Sequence, residues 1–264
     1  MSNLSYMQKA TDRGQLQIHV TTERGFFPIK DASIRLSYTG NPTEIIEELS
    51  TDISGQTAAV ELPAPPLEYS MEPSEFQPYS EYTIQVNASG YRPINISGIS
   101  VLPDKTSIQN VRMETATVEN PLERNIVITA NTLYGNFPPK IPEDEIKPMT
   151  ESGEIVLSRV VIPEYVIVHD GPPSDSSAND YYVRYRDYIK NVASSEIYAT
   201  WPDAALRANI LAIMSFTLNR VYTEWYRNKG YDFTITSSTA FDHKFVYGRN
   251  IFSNISNIVD EMFN

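Results

Sequence analysis

Residues 181–230, YYVRYRDYIKNVASSEIYATWPDAALRANILAIMSFTLNRVYTEWYRNKG, predict two helices joined by a short turn. In the first half, apolar side chains recur at the spacing that places them on one face of a helix. These residues are Tyr185, Tyr188, Ile189, Val192 and Ala193. In the second half, Thr200 is the predicted N-cap, with Pro202 in the first turn and Asp203 completing a capping pattern.

The second predicted helix also carries one apolar face. Its members are Leu206, Ile210, Ile213, Thr217 and Val221. Gly230, which follows Lys229, is typical of the residue just past a helix end. The turn between the helices therefore lies close to Glu196.

Glu196 is the candidate for chemistry in this stretch. A carboxylate at a helix-to-helix corner can face a cleft, and partial desolvation there suits it to act as a general acid and then a general base. The alternative from the residue pattern alone is an ordinary solvated or capping carboxylate, which is how most surface glutamates are found.

Composition excludes several classes of partner and site. The chain has 264 residues, a formal charge of -12 and no cysteine. Because it carries no basic stripe, neither nucleic acid nor an anionic membrane surface is an expected partner. The start, MSNLSYMQKATDRG, lacks the apolar run of a classical signal peptide, and no apolar stretch approaches the ~18 residues that cross a bilayer.

Metal and cofactor sites are not predicted. His19, His169 and His243 are far apart in the sequence, and no ligand pair has helical metal spacing. A zinc site made of His243, Asp242 and His169 remains the minor alternative. The sequence also contains no phosphate-binding loop, no dinucleotide-binding glycine motif and no G-x-S-x-G nucleophile motif.

The chain predicts an α+β protein of two domains. Residues 1–14 form a flexible lead, and residues 15–115 contain seven short alternating strands that favour an antiparallel β-sandwich. Residues 116–158 are a Pro-rich linker, and 159–264 a mixed helical domain. The Pro-rich insert at 63–82 is either a binding loop or a rigid connection.

The sandwich resembles the transthyretin-like, carboxypeptidase-regulatory type of module. The matching motifs are Pro28-Ile29 with Ala32-Ser33-Ile34, Thr51-Asp52-x-x-Gly55, and Ala88-Ser89-Gly90-Tyr91. This resemblance implies the fold of residues 15–115 and says almost nothing about activity.

The stretch SSEIYATWPDAALRANILAIMSFTLNR resembles the SpoIID family of peptidoglycan lytic transglycosylases. The matching residues are Ser195-Glu196, Trp201-Pro202, Ala205-Leu206, Arg207-Ala208 and Leu218. A closer resemblance, to the spore cortex-lytic members, lies in VIPEYVIVHDGPP, DYIKNVASSEIYATWP, LNRVYTEWYRNKGYDFTITSSTAFD and VYGRNIFSNIS. The resemblance implies that Glu196 is the catalytic acid/base and that spore cortex glycan is the substrate. Arg207, Asn209 and Tyr247 are the residues expected to orient the sugar.

The sequence departs from the family pattern at three places. The family has Gln where this chain has Asn209, and Arg where this chain has Met214. Relatives often have a turn with Cys and His where this chain has Asp242-His243.

The same resemblance implies how the protein is processed and where it is located. It would be made as a precursor, cut by a subtilisin-like germination protease near Ser158–Val161, and located in the cortex or coat region of a spore. In relatives the domain continues through a G-x-S-Q-W-G segment, so the domain at 159–264 is expected to be incomplete at its C-terminus. The alternative function is a non-catalytic, structural or peptidoglycan-binding spore protein.

Overall fold

A computed structural model describes residues 12–23, 27–73, 75–117, 122–131, 133, 139 and 161–263. Within these residues the protein is α+β, as predicted. Most of the predicted lead at 1–14 and most of the predicted linker at 116–158 lie outside the described residues. The same holds for Ser158 in the predicted cleavage region.

The chain divides into two compact units, each assembled from several segments. Unit 1 comprises Met1–Tyr134, Tyr198–Trp201 and Tyr247–Ser256. Unit 2 comprises Gly135–Ile197, Pro202–Val246 and Asn257–Asn264. Two short segments of the helical half of the sequence therefore belong to the same unit as the strands at the start of the chain.

Unit 1 is a sandwich of two sheets. Its strands are β1 (Asp12–Thr22), β2 (Ser33–Tyr38), β3 (Asn41–Ser50), β4 (Val60–Ala64), β5 (Ser80–Asn87), β6 (Ile94–Val101), β7 (Thr106–Met113), β8 (Arg124–Val127) and, from the C-terminal segment, β12 (Ile251–Phe252). One sheet has the order β12-β7-β1-β4, and the other β3-β2-β5-β6-β8. The ladders are antiparallel except β1–β7 and β6–β8, which are parallel. The insert at 63–82 contains one short helix, α1 (Glu68–Met71).

The core of unit 1 follows from alternation along the strands. In β1 the buried side chains are Leu16, Ile18 and Val20, each fully shielded from solvent. Successive side chains of a strand point to opposite faces, so this period of two gives the sheet one apolar face. Tyr82 is buried on β5 and donates its hydroxyl hydrogen to the carbonyl of Pro63 at 2.7 Å.

The Thr51 side chain binds the start of the predicted turn at Thr51–Gly55 to residues 29–32. The Thr51 hydroxyl donates to the carbonyl of Ile29 at 2.7 Å and accepts from the amide of Ala32 at 2.9 Å. Gly55 has a φ of +74°, and a Cβ there would meet the carbonyl oxygen of Val20 at 2.5 Å. Both the backbone conformation and the close approach therefore require glycine.

Unit 2 contains a small sheet and the two predicted helices. The sheet has the order β10-β9-β11, from β9 (Tyr165–His169), β10 (Asp180–Arg184) and β11 (Ile235–Thr236). The helices are α2 (Tyr185–Glu196) and α3 (Asp203–Tyr222), with a 3₁₀ turn at Arg227–Lys229. A last helix, α4 (Ser253–Met262), begins in unit 1 and ends in unit 2. Of the helices in the described residues, none has both the length and the apolarity to cross a bilayer.

The helical periodicity is confirmed for α2 and corrected for α3. All five residues predicted to share one face of α2 are buried. The buried stripe of α3 ends with Arg220 instead of Val221. The predicted cap at Thr200 is wrong: Pro202 is the N-cap, and the Thr200 hydroxyl donates instead to that of Ser70 at 2.8 Å. Gly230 has the expected left-handed φ of 85°, but it caps the 3₁₀ turn.

Candidate active site

Glu196 is the last residue of α2, at the corner where the helix ends. The next residue, Ile197, is extended, with φ -137° and ψ 154°. The Glu196 side chain is half-buried, and its Oε1 accepts a hydrogen bond from the backbone amide of Lys244 at 2.7 Å. The carboxylate is therefore held in one orientation at the predicted corner.

Lys244 belongs to an irregular segment, residues 242–246, which we call the 242–246 loop. Asn191 of α2 fixes its far end through two hydrogen bonds with Val246: Nδ2 donates to the carbonyl at 2.9 Å, and the amide donates to Oδ1 at 3.0 Å. This reciprocal pair resembles the pairing of two strands and leaves little freedom to the backbone at Val246.

Aromatic contacts hold the middle of the 242–246 loop. The ring of Phe245 stacks on that of Tyr188, with centroids 5.9 Å apart. The Tyr188 hydroxyl lies 3.2 Å from Nδ1 of His243. Burial is the main cause that raises the pKa of Tyr188, so its hydroxyl stays neutral and can donate to the imidazole.

Asp242 anchors the near end of the loop in the interior of unit 2. Its Oδ1 accepts from Nε of Arg220 at 2.8 Å, and both side chains are buried, with 0% and 6% exposure. Its Oδ2 accepts from the Tyr226 hydroxyl at 2.5 Å and from the Thr236 hydroxyl at 2.6 Å. Burial, followed by the charge of Asp242, raises the pKa of Tyr226, which keeps this donor protonated.

These contacts together make a pre-organised carboxylate. Asp242 and Val246 are fixed on either side of Lys244, and these contacts hold the backbone whose amide binds Glu196. A catalytic group that is held by a supporting layer of hydrogen bonds needs no reorganisation during the reaction. The arrangement can orient one carboxyl group for proton transfer.

The predicted sugar-orienting residues are placed as follows. Arg207 lies on α3 and is paired with Asp203 at 2.8 Å and with Glu261 at 2.5 Å. Asn209 is also on α3, and its Nδ2 donates to the carbonyl of Ala205 at 2.8 Å. Tyr247 lies in unit 1, where its hydroxyl accepts from Arg124 at 2.6 Å. Glu196, Arg207 and Asn209 share unit 2, and the sugar-orienting roles stay predictions.

The three members of the alternative zinc site make separate contacts. Nδ1 of His169 lies 2.8 Å from Oδ1 of Asp180, whereas Asp242 binds Arg220 and His243 contacts Tyr188. Among the residues that the structure describes, no group of three or more histidine, cysteine or acidic side chains is placed to hold a metal ion.

The residues that support Glu196 were not predicted from the sequence. Arg220 carried a signal: it occupies the next position of the apolar stripe of α3, and a cation there predicts a buried acidic partner. Asp242 directly follows the apolar residues Ala240 and Phe241 in TAFDHKF, which fits that partner. Asn191 and the amide of Lys244 had no such signal, because their contacts depend on the course of the loop.

One region of the chain is similar to a known protein family. Residues 178–259 match the SpoIID family model, described as stage II sporulation protein. The predicted resemblance is thereby confirmed for the SpoIID domain. This family is associated with lytic transglycosylase activity and with a sporulation-related, cell-wall lytic function. No curated protein matches the chain.

Similar solved structures share only a minor part of the chain. The TIE protein of Bacillus anthracis is 17% identical over 40% of this chain and 17% of its own, with a TM-score of 0.28. The minor pilin GBS52 of Streptococcus agalactiae is 14% identical over 40% of this chain and 46% of its own, with a TM-score of 0.28. The 5-hydroxyisourate hydrolase of Klebsiella pneumoniae is 17% identical over 38% of this chain and 86% of its own, with a TM-score of 0.25. TM-scores this low establish neither a shared fold nor a shared function.

Proposed function

We propose that the protein is a lytic transglycosylase of spore cortex peptidoglycan, of the type of the spore cortex-lytic enzyme SleC, with Glu196 as its catalytic acid/base. The observation that carries the proposal is the position of Glu196 inside the SpoIID match, where the amide of Lys244 orients its carboxylate. The glycan strand is the substrate, and no cofactor takes part.

The proposed reaction needs one carboxyl group in two successive roles. Protonated Glu196 gives its proton to the oxygen between N-acetylmuramic acid and N-acetylglucosamine, and the bond from that oxygen to the muramoyl C1 breaks. The muramoyl C6 hydroxyl attacks C1, and the Glu196 carboxylate takes the hydroxyl proton. The product is a 1,6-anhydromuramic end, and no water is consumed.

The state of Asp242 supports a one-carboxyl route over ordinary hydrolysis. A hydrolase uses a second carboxylate as a nucleophile or to activate water. Asp242 is shielded from solvent and its two oxygens accept from Arg220, Tyr226 and Thr236. It therefore has neither the exposure nor the free lone pairs to activate water beside a substrate.

The products made in heavy-oxygen water test the proposed reaction. Cortex sacculi are incubated with the purified protein in H₂¹⁸O, and the released muropeptides are analysed by mass spectrometry. We expect 1,6-anhydromuramic ends without ¹⁸O, because the attacking oxygen comes from the sugar. Reducing ends that carry ¹⁸O would show hydrolysis instead. Retention on sacculi with no released product would support the alternative, a non-catalytic peptidoglycan-binding protein.

The contact between Lys244 and Glu196 gives a second test, since it uses the backbone and not the side chain. We expect Lys244→Ala to keep nearly full activity, and Lys244→Pro to lower kcat about 10²-fold because it removes the orienting N–H. Activity is measured as release of anhydro-muropeptides, with thermal unfolding to establish that both variants fold. Equal losses in the two variants would assign the effect to the lysine side chain.

The proposal also includes synthesis of the protein as a precursor and its location in the spore. A subtilisin-like protease would cut near Ser158–Val161 in the cortex or coat region of the spore. Val161, the last residue of that region, is 40% exposed, and Ile162, which follows it, is 62% exposed. Exposed chain is what a protease requires, and this accessibility supports the proposed cut.

A further inference from the structure

Unit 1 is built from chain segments on both sides of the proposed cut. Strand β12, Ile251–Phe252, pairs antiparallel with Ile108 and Ser107 of β7. It is the outermost strand of its sheet, so without it β7 would present an unpaired edge. The C-terminal segment 247–256 therefore completes a sheet whose other strands lie within residues 12–113.

Asn250 binds this segment to the second sheet of the sandwich. Its side chain is fully buried; the amide of Ser100 donates to its Oδ1 at 3.1 Å, and its Nδ2 donates to the Ser100 carbonyl at 3.0 Å. The pair satisfies both backbone groups of one β6 residue. Removal of the Asn250 side chain would leave the buried amide of Ser100 without this partner, which costs more than the bond contributes, whereas the carbonyl would keep its hydrogen bond from the Ser107 hydroxyl at 2.6 Å.

Gly248 and Arg249, which precede Asn250, also pack closely against the N-terminal part of unit 1. The carbonyl of Gly248 accepts from Gln109 at 3.0 Å, and Arg249 donates to the carbonyl of Thr129 at 2.6 Å. Gly248 has a φ of +81°, and a Cβ there would lie 2.6 Å from a methyl carbon of Ile126. The backbone at this point thus approaches β8 more closely than any other residue type allows.

The second segment, 198–201, adds contacts with residues of the Pro-rich insert and the end of the sandwich. Trp201 donates from Nε1 to the carbonyl of Ser70 at 2.9 Å, and Thr200 donates to the Ser70 hydroxyl. The Tyr198 hydroxyl donates to the carbonyl of Asn131 at 3.3 Å. The insert therefore includes a packed connection to a segment that lies after the linker.

From these contacts we infer that cutting the chain between residues 131 and 161 leaves a stable complex of two fragments. The partner of the N-terminal fragment is the segment 247–256, with 198–201 as a second contact. A protease acting near Ser158 would then nick the protein without releasing its sandwich. The inference does not depend on the proposed enzymatic activity, because it concerns only how unit 1 is assembled.

The test cuts the chain between the N-terminal and the C-terminal segments that together form unit 1. A recognition sequence for a site-specific protease is inserted between residues 145 and 146 of the full chain, and the purified protein is cleaved to completion. We expect both fragments to elute together from a size-exclusion column at the volume of the uncut protein, and to separate only in denaturant. Separate elution, or precipitation of either fragment in buffer, would overturn the inference.

Two variants establish whether the segment 247–256 is the partner. Asn250→Ala should raise the dissociation constant of the cut complex about 30-fold, since two buried hydrogen bonds are lost. Gly248→Ala should weaken it by clash with Ile126. Asn257→Ala is the matched control, because Asn257 is exposed on α4. Fragments that stay together equally well in all three variants would show that other contacts hold them, and would refute the assignment of the segment 247–256 as the partner.

Discussion

Glu196→Gln is expected to lower kcat for cleavage of cortex glycan about 10³-fold, within the range that a general acid/base contributes. Glutamine keeps the shape of the side chain, and its carbonyl oxygen can still accept from the amide of Lys244. It has no proton to give to the glycosidic oxygen and no charge with which to take one from the C6 hydroxyl. The loss should fall on kcat with KM little changed, because the group acts in the transition state.

The measurement is the rate of release of 1,6-anhydro-muropeptides from cortex sacculi, with binding to sacculi followed in parallel. Glu164→Gln is the matched control, because it makes the same substitution at an exposed glutamate of unit 2. We expect the control to cleave like the wild type. If Glu196→Gln releases the same products at the same rate, the catalytic role of Glu196 is wrong, whatever the protein binds.

The periodicities of the sequence were sufficient to predict the strands and helices that bury one face. All seven strands predicted within residues 15–115 are present, and so is the buried face of α2. Except for β3, which has no buried residue, these predictions succeeded because the hydrophobic effect imposes a period of two on a half-buried strand and of 3.6 on a helix. Pairing between distant segments leaves no such local trace. Nothing in the sequence Ile251–Phe252 indicates that these residues pair with β7.

The capping pattern predicted the wrong N-cap for α3, for a related reason. Thr200 and Asp203 have the spacing of a capping box, but helix α3 begins at Asp203 with Pro202 as its N-cap. The Thr200 hydroxyl donates to Ser70, a residue 130 positions away. A tertiary hydrogen bond of this kind competes with the local one, and the sequence around Thr200 does not show which is formed.

For the candidate site, the sequence predicted the carboxylate and not its support. Glu196 was found from its corner position and from the family resemblance. The 242–246 loop lacks regular secondary structure, so no periodicity predicts its course. The contact between Glu196 and the Lys244 amide depends on that course, and only the folded structure shows it.

The support for Glu196 predicts a large loss of stability on Asp242→Asn. This change leaves the Arg220 guanidinium, 6% exposed, without its countercharge, and it weakens the hydrogen bonds from Tyr226 and Thr236. Breaking a buried ion pair from one side costs about 3–5 kcal/mol. We expect the free energy of unfolding of unit 2, measured in urea, to fall by about that amount.

The control for this prediction is a second ion pair of the same length in the same unit. Asp203 and Arg207 are also 2.8 Å apart, but their side chains are 66% and 40% exposed. Asp203→Asn should therefore cost at most about 1 kcal/mol, because water screens the pair and Arg207 keeps both its solvation and its contact with Glu261. Equal losses from Asp242→Asn and Asp203→Asn would mean that burial does not decide the strength of the Asp242–Arg220 contact. The 242–246 loop would then need another anchor to hold Lys244 against Glu196.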